Sequence, residues 1–230
     1  LHVSETARQV EQSLTEHHRT PIQQLDHLGL LELPLLLAHA AHARAEDLPL
    51  MQNAGVAHCP KTFLKLAAGI APVKQMMDLG LAVGVGSDGA ASNNTLDMLE
   101  QVRLAALLQK HQTGDPTVLK REQALRMATS EGARVLKQEQ HLGRVAEGFL
   151  ADLSLIRLDG AHLQPLHDIP AALLYSARAA DVDTVIVAGQ ILMQGRQHLK
   201  LDTREVLQQV RQRLPHLLRR SSEQLQSFPG

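Results

Sequence analysis

The sequence predicts an α/β protein built around a parallel sheet, and three observations predict it. Four short apolar segments each run into polar residues, helix-like sequence follows each of them, and the polar residues stand at the carboxyl ends. Strand followed by helix, repeated, is the pattern of a parallel sheet covered on both faces, whose strands read as continuous apolar runs. An α/β barrel and a doubly wound sheet both fit that repeat. Glu5, His39, His58 and Asp88 lie at or beyond their strand ends, which is where barrel enzymes place their chemistry. Four units are half of the eight that a closed barrel needs.

LHVSE (1–5) reads as the first strand, followed by an amphipathic helix over 7–17. LLLAHA (35–40) is the second, followed by AEDLPLMQNA (45–54), a short helix broken or begun near Pro49. VAHCP (56–60) is the third, followed by a loop and then by APVKQMMDLG (71–80). Pro72 suits a first helical turn, because its missing N–H would have no intrahelical partner there. LAVGVGSD (81–88) is the fourth strand. The helix after it, LDMLEQVRLAALLQK (96–110), carries Leu96, Leu99, Val102, Ala106 and Leu107 at spacings that mark one buried face. Asn94 is its expected cap, with Asp97 three residues on.

Beyond Gly114 the pattern changes. REQALRMATSEGARVL (121–136) reads as a helix or helix pair, interrupted near Ser130 and Gly132. Short strands are expected over 152–158, 184–189 and 190–195, the last two joined as a hairpin at Ala188-Gly189. Residues 203–218 form a terminal amphipathic helix interrupted or ended near Pro215, and the last dozen residues read as frayed.

Composition narrows the function classes. Hydrophobic residues make up 44% of the 230, enough for a sizeable core. Net charge is −1 with no basic cluster, and aromatic residues are only 2%, which argues against a nucleic-acid surface with stacking platforms. No apolar run approaches the roughly 18–20 residues of a membrane span. The single cysteine, Cys59, points to a reducing, cytoplasmic setting. Residue 1 opens inside an alternating apolar–polar stretch, so a longer chain is expected, of which these residues are the later part.

The chemistry-bearing candidates are His2, Glu5, His39, His58 and Asp88. Histidine nitrogen and carboxylate oxygen suit a zinc-like divalent ion, and His2 and Asp88 could supply two such ligands from two strand ends. An ion of this kind makes water a nucleophile near neutral pH. Attack on an electron-poor carbon then needs a proton donor, a role that fits Glu5. Each residue also has an ordinary explanation. A strand-end histidine can be a satisfied polar residue, and Asp88 before Gly89 is a common turn pair. His42 is expected to pack or cap on its loop. The Gly-Ala-Ala-Ser run lacks the lysine of a phosphate-binding loop.

In order and at similar spacing, HVSET, AHAAH, VAHCPKTFLKLAAGIAPV, VGVGSDGAASNNTLDMLEQVRLAALLQK and GRVAEGFLADLSLI resemble the amidohydrolase superfamily. The resemblance is strongest to its methylthioadenosine/S-adenosylhomocysteine deaminase and chlorohydrolase branch. It implies the C-terminal half of a metal-dependent (β/α)8 barrel over 1–140, part of a small β-sandwich over 141–200, and a C-terminal helix and tail over 201–230. It implies one divalent ion, zinc or iron or another transition metal, with His2 and Asp88 as ligands. By the same resemblance Asp88 takes a proton from water and passes it to the departing amine, Glu5 protonates the ring nitrogen, and His39 bonds the water or the developing charge. Ser92 joins Glu5 and His39 in binding substrate.

Two departures stand out. The family's remaining ligands are a His-x-His pair on the first barrel strand, and no such pair occurs among the 13 histidines here. Where the branch reads His-x-Pro-x-Ser-Asn, this chain has His58, Cys59, Pro60, Lys61, Thr62 and Phe63, so Phe63 replaces an amide and His58 and Phe63 have no assigned role. The expected activity is hydrolytic deamination of an aminated purine or related heterocycle, with no nucleic-acid or membrane partner and with a homodimer compatible. The alternatives are a triazine-type chlorohydrolase or aminohydrolase with the same site, or a non-catalytic fragment.

Overall fold

In the computed structural model residues 1–226 are described, with side chains as far as Arg219. The chain divides into two compact units, one of residues 1–150 and 157–181, the other of residues 151–156 and 182–230.

The first unit holds β1 (His2–Val3), α1 (Ala7–His17), α2 (Pro21–His27), β2 (Leu36–His39), β3 (Gly55–His58), α3 (Pro60–Leu66), α4 (Val73–Asp78), β4 (Ala82–Val85), α5 (Ala90–Asn93), α6 (Met98–Thr113), α7 (Arg121–Met127) and α8 (Ser130–Val135). Its sheet has the order β1-β2-β3-β4, every pair parallel, with Val3 opposite His39 and His58 opposite Val85. The α/β class is therefore as expected. Each strand contributes to the core: Val3, Leu37, Val56 and Val83 pack with Phe63, Met76, Val102, Ala105 and Met127.

The structure differs from the sequence pattern at several elements. The first strand is only His2–Val3, because Ser4 takes φ 47° and turns the chain away. The segment after the third strand is helical rather than a loop. Pro60 occupies the first turn of α3, and the buried Thr62 and Phe63 anchor it. Likewise the small-residue loop after Asp88 contains the one-turn helix α5. The cap of α6 is Asp97, whose side chain accepts from the Glu100 N–H, while Asn94 ends α5.

The buried side of α6 matches the expected one only in part: Val102 and Ala106 are buried as expected and Leu99 is half-buried. Leu96 and Leu107 are exposed, and Gln101 and Gln109 are fully buried beside Val102, Ala105 and Ala106. Neither α3 nor α4 has a side-chain cap of its own. Gln101 Oε1 accepts from the Lys61 N–H at 3.3 Å and Gln109 Oε1 from the Lys74 N–H at 3.0 Å. Two amides of α6 thus satisfy first-turn N–H groups that would otherwise be orphaned. The break in 121–136 falls at Ala128–Thr129, and α8 then packs closely on the sheet. A Cβ on Gly55 would stand 2.4 Å from the Val135 carbonyl oxygen, so only glycine allows that approach.

One more helix, α9 (Ile169–Tyr175), belongs to the first unit, where Arg103 of α6 donates to the Leu174 and Ala177 carbonyls. The second unit holds β5 (Leu153–Ile156), β6 (Val182–Val187), β7 (Gln190–Gln194), β8 (Gln197–His198) and α10 (Thr203–Gln226), its strands forming an antiparallel sheet in chain order. The hairpin at Ala188-Gly189 forms, both residues having positive φ (49° and 76°) as a primed turn requires. The terminal helix neither ends nor breaks at Pro215 but runs through it to Gln226. Proline deletes one backbone hydrogen bond and disfavours a helix without forbidding it. Residues 219–226, expected to fray, are helical, and residues 227–230 lie outside the described residues. No helix among the described residues is long and apolar enough to cross a membrane.

Candidate metal centre

Parallel strands put their carboxyl ends on one edge, and there the candidate side chains collect. His2 lies in β1 and Glu5 just beyond it; His39 and His58 are the last residues of β2 and β3; Asp88 follows β4. His39, Ala40 and Asp88 hold positive φ of 76°, 49° and 57°. Such conformations persist only where surrounding contacts enforce them, and they gather at functional sites.

His2, His39 and Asp88 converge, with one potential ligand atom from each lying within 4.8 Å of the others. The His2 and His39 rings are 5.0 Å apart between centroids, and His39 Nε2 is 3.8 Å from Glu5 Oε1. His39 is 1% exposed, yet neither ring nitrogen has a hydrogen-bond partner. Leaving a buried polar atom unpaired costs about 1–3 kcal/mol, so this ring requires a further partner. Two imidazoles and a carboxylate around an orphaned nitrogen fit a divalent ion of the zinc type. Burial lowers the His39 pKa, with His2 acting the same way against the pull of Glu5 and Asp88. The neutral, ligand-competent ring is favoured.

Asp88 is held on one oxygen. Ser92 Oγ donates to Oδ2 at 2.7 Å and Thr62 Oγ1 at 3.1 Å. Burial pushes the carboxyl up, but hydrogen bonds from Ser92, the Gly89 N–H and Thr62, together with His39, hold it below the ordinary carboxylate value. Ser92 thus bonds the carboxylate directly. Thr62 was not singled out from the sequence. Its one signal was its place in the His-x-Pro-x-Ser-Asn-like run, where a hydroxyl residue is retained.

Phe63 is buried, its ring 5.6 Å from His39 and 5.5 Å from His58. It wedges two imidazoles apart instead of lining an open surface. His42 stands apart from the cluster, with its Nε2 2.7 Å from the Ala68 carbonyl oxygen. Burial pushes the Cys59 thiol up to about 12, which leaves no thiolate nucleophile near neutral pH.

His58 is fully buried with neither nitrogen paired. Burial, reinforced by His39, pushes its pKa from 6.5 down to about 3. Between those values the unfolded chain binds a proton that the folded chain does not. Stability present above pH 6.5 is therefore lost as pH falls, by up to ~1.4 kcal/mol per pH unit. For the metal-free protein, urea midpoints should drop between pH 6.5 and 5, and His58→Leu should flatten that slope. An unchanged slope in the variant would assign the effect elsewhere.

Comparison with known proteins adds three findings. The model of the amidohydrolase family matches residues 1–192. The 5-methylthioadenosine/S-adenosylhomocysteine deaminase of Moorella thermoacetica is 47% identical over 216 residues, 93% of this chain and 50% of that protein. The protein of the same name from Pyrococcus furiosus is 43% identical over 209 residues, 90% of this chain and 49% of that one. The chain thus spans about half the length of the curated relatives it matches. Among solved structures, an adenosine deaminase from Xanthomonas campestris with bound zinc superposes with a TM-score of 0.89 at 34% identity, covering 92% of this chain and 49% of that one. A zinc complex of an atrazine chlorohydrolase from Arthrobacter aurescens gives 0.81 at 31%, covering 90% and 46%.

Proposed function

The chain belongs to the amidohydrolase family, and from its strand-end cluster we propose that it carries part of the active site of a metal-dependent deaminase. The substrate is an aminated purine or related heterocycle, and water replaces the amino group to give the oxo ring and ammonia. The observation that carries this reading is the convergence of His2, His39 and Asp88 on one point, with Glu5 3.8 Å from His39. The deaminase names of relatives near 45% identity support the substrate class.

In this reading the four-stranded parallel sheet is half of a (β/α)8 barrel. A further His-x-His pair would come from the half of such a protein that residues 1–230 do not represent. His2 and Asp88 would hold the divalent ion, and His39 faces the same point with an unpaired nitrogen. The bound ion supplies Lewis-acid activation of water. Asp88 accepts the proton of the attacking water and delivers it to the leaving amine. Glu5 would donate a proton to the ring nitrogen beside the attacked carbon, which takes up the C=N π electrons as the C–O bond forms. His39 hydrogen-bonds the oxygen as charge develops on it.

Full-length protein supplied with zinc is expected to release ammonia from methylthioadenosine, S-adenosylhomocysteine or adenosine. Activity should fall to background on chelation and return on adding the ion. Equal rates with and without metal would overturn the mechanism. The likeness to an atrazine chlorohydrolase favours a second reading, in which the same residues displace chloride or an alkylamine from a triazine ring. Turnover of triazines with none of purine nucleosides would establish that one instead.

A further inference from the structure

We infer that Thr62 is a positioning residue for Asp88, acting as the central contact of a clamp between α3 and the segment 88–95. The inference rests on the deaminase reading above.

Residues 61, 62 and 65 lie on adjoining positions of α3, and all three reach the same segment. Thr62 Oγ1 donates to Asp88 Oδ2 at 3.1 Å. Lys61 Nζ donates to Thr95 Oγ1 at 2.8 Å and to Glu100 at 2.6 Å. Lys65 Nζ donates to the Ala91 carbonyl and to Asn94 Oδ1, each at 2.7 Å. Within the segment, the fully buried Asn93 donates from Nδ2 to the Ser87 carbonyl at 2.6 Å. The stretch that bears Asp88 has small side chains and little packing of its own, so its place is set by these polar contacts.

A carboxylate can rotate and exchange its two oxygens. Two hydroxyls on Oδ2 remove that freedom and leave Oδ1 as the oxygen without a side-chain hydrogen bond among the described residues. Hydrogen bonds to an ionised acceptor are the stronger kind. Of the two donors, Thr62 is 1% exposed and shielded from competing water, and its β-branch restricts χ1. Partners of this type orient a metal ligand, and their removal typically weakens metal affinity ~10–100-fold.

The test uses full-length protein and the zinc ion alone, titrated against a chromophoric chelator, with ammonia release measured in parallel. Thr62→Val keeps the shape and deletes the hydroxyl. It should weaken zinc binding ~10–100-fold and lower kcat with KM unchanged, and Thr62→Ser should restore both. Should Thr62→Val fail to fold, as judged by circular dichroism of the metal-free form, Ser92→Ala removes the other hydroxyl on Oδ2 from a more exposed position. It should weaken zinc binding in the same sense. Zinc affinity equal to wild type in the folded hydroxyl-deletion variant overturns the positioning role and leaves the deaminase reading standing. A wild-type protein that neither binds zinc nor releases ammonia overturns that reading, and this inference with it.

Discussion

Asp88→Asn in the full-length protein is expected to lose its metal and its activity together. The substitution keeps the size of the side chain, and its amide oxygen can still accept from Thr62 and Ser92, which now bond Asp88 Oδ2. The charge is what disappears. Asp88 is the single anionic donor in the three-residue cluster with His2 and His39, so the amide leaves the ion with neutral ligands from this chain. Asp88 is also the proposed carrier of the proton from water to the leaving amine. Elemental analysis should show about one transition metal per chain in the wild type and little in the variant. Ammonia release should fall by at least ~10²-fold, since loss of a proton-transfer group alone is worth ~10²–10⁴. A variant that retains its metal and loses only rate would confine Asp88 to proton transfer. One that retains both would remove Asp88 from the site.

Glu5→Gln should separate the two kinds of loss. Glu5 Oε1 lies 3.8 Å from His39 Nε2, close to the cluster but outside the set of converging ligand atoms. Its proposed work is to give a proton to the ring nitrogen, which a glutamine cannot do. Zinc content should therefore stay near the wild-type value while kcat falls ~10²–10⁴-fold. Metal lost together with rate would make Glu5 a ligand. Rates equal to wild type would place the ring proton donor elsewhere, with His39 the next residue to vary.

The four strands of residues 1–113 and the helices α1, α4 and α6 could be read because each apolar run and each amphipathic stretch is a local pattern, whereas α2, α3 and α5 were not read. The tips bearing Glu5, His39, His58 and Asp88 were recognisable for the same reason, as polar residues closing apolar runs. The Ala188-Gly189 hairpin was also legible, since Gly189 takes the positive φ that the turn demands without steric cost, and Ala188 follows it there. Where the reading of α6 failed, the cause was chemical. Gln101 and Gln109 are polar by composition but buried, because α3 and α4 need caps that neither carries. A hydrophobic period cannot register a side chain buried for its hydrogen bonds.

The residues alone sufficed for the α/β class and for the strand-end candidates that the structure brings to one edge of the sheet. Periodicity and strand-end position are properties of neighbouring residues, and they survive without knowledge of what packs against them. Folding was needed to bring His2, His39 and Asp88 within reach of a single ion, to leave the buried nitrogens of His39 without a partner, and to turn the segment after Pro60 into a helix. It also placed the Thr62 hydroxyl on a carboxylate 26 residues away. These are contacts between residues distant in the chain, and their energies depend on burial and direction, which no local pattern of residue types contains.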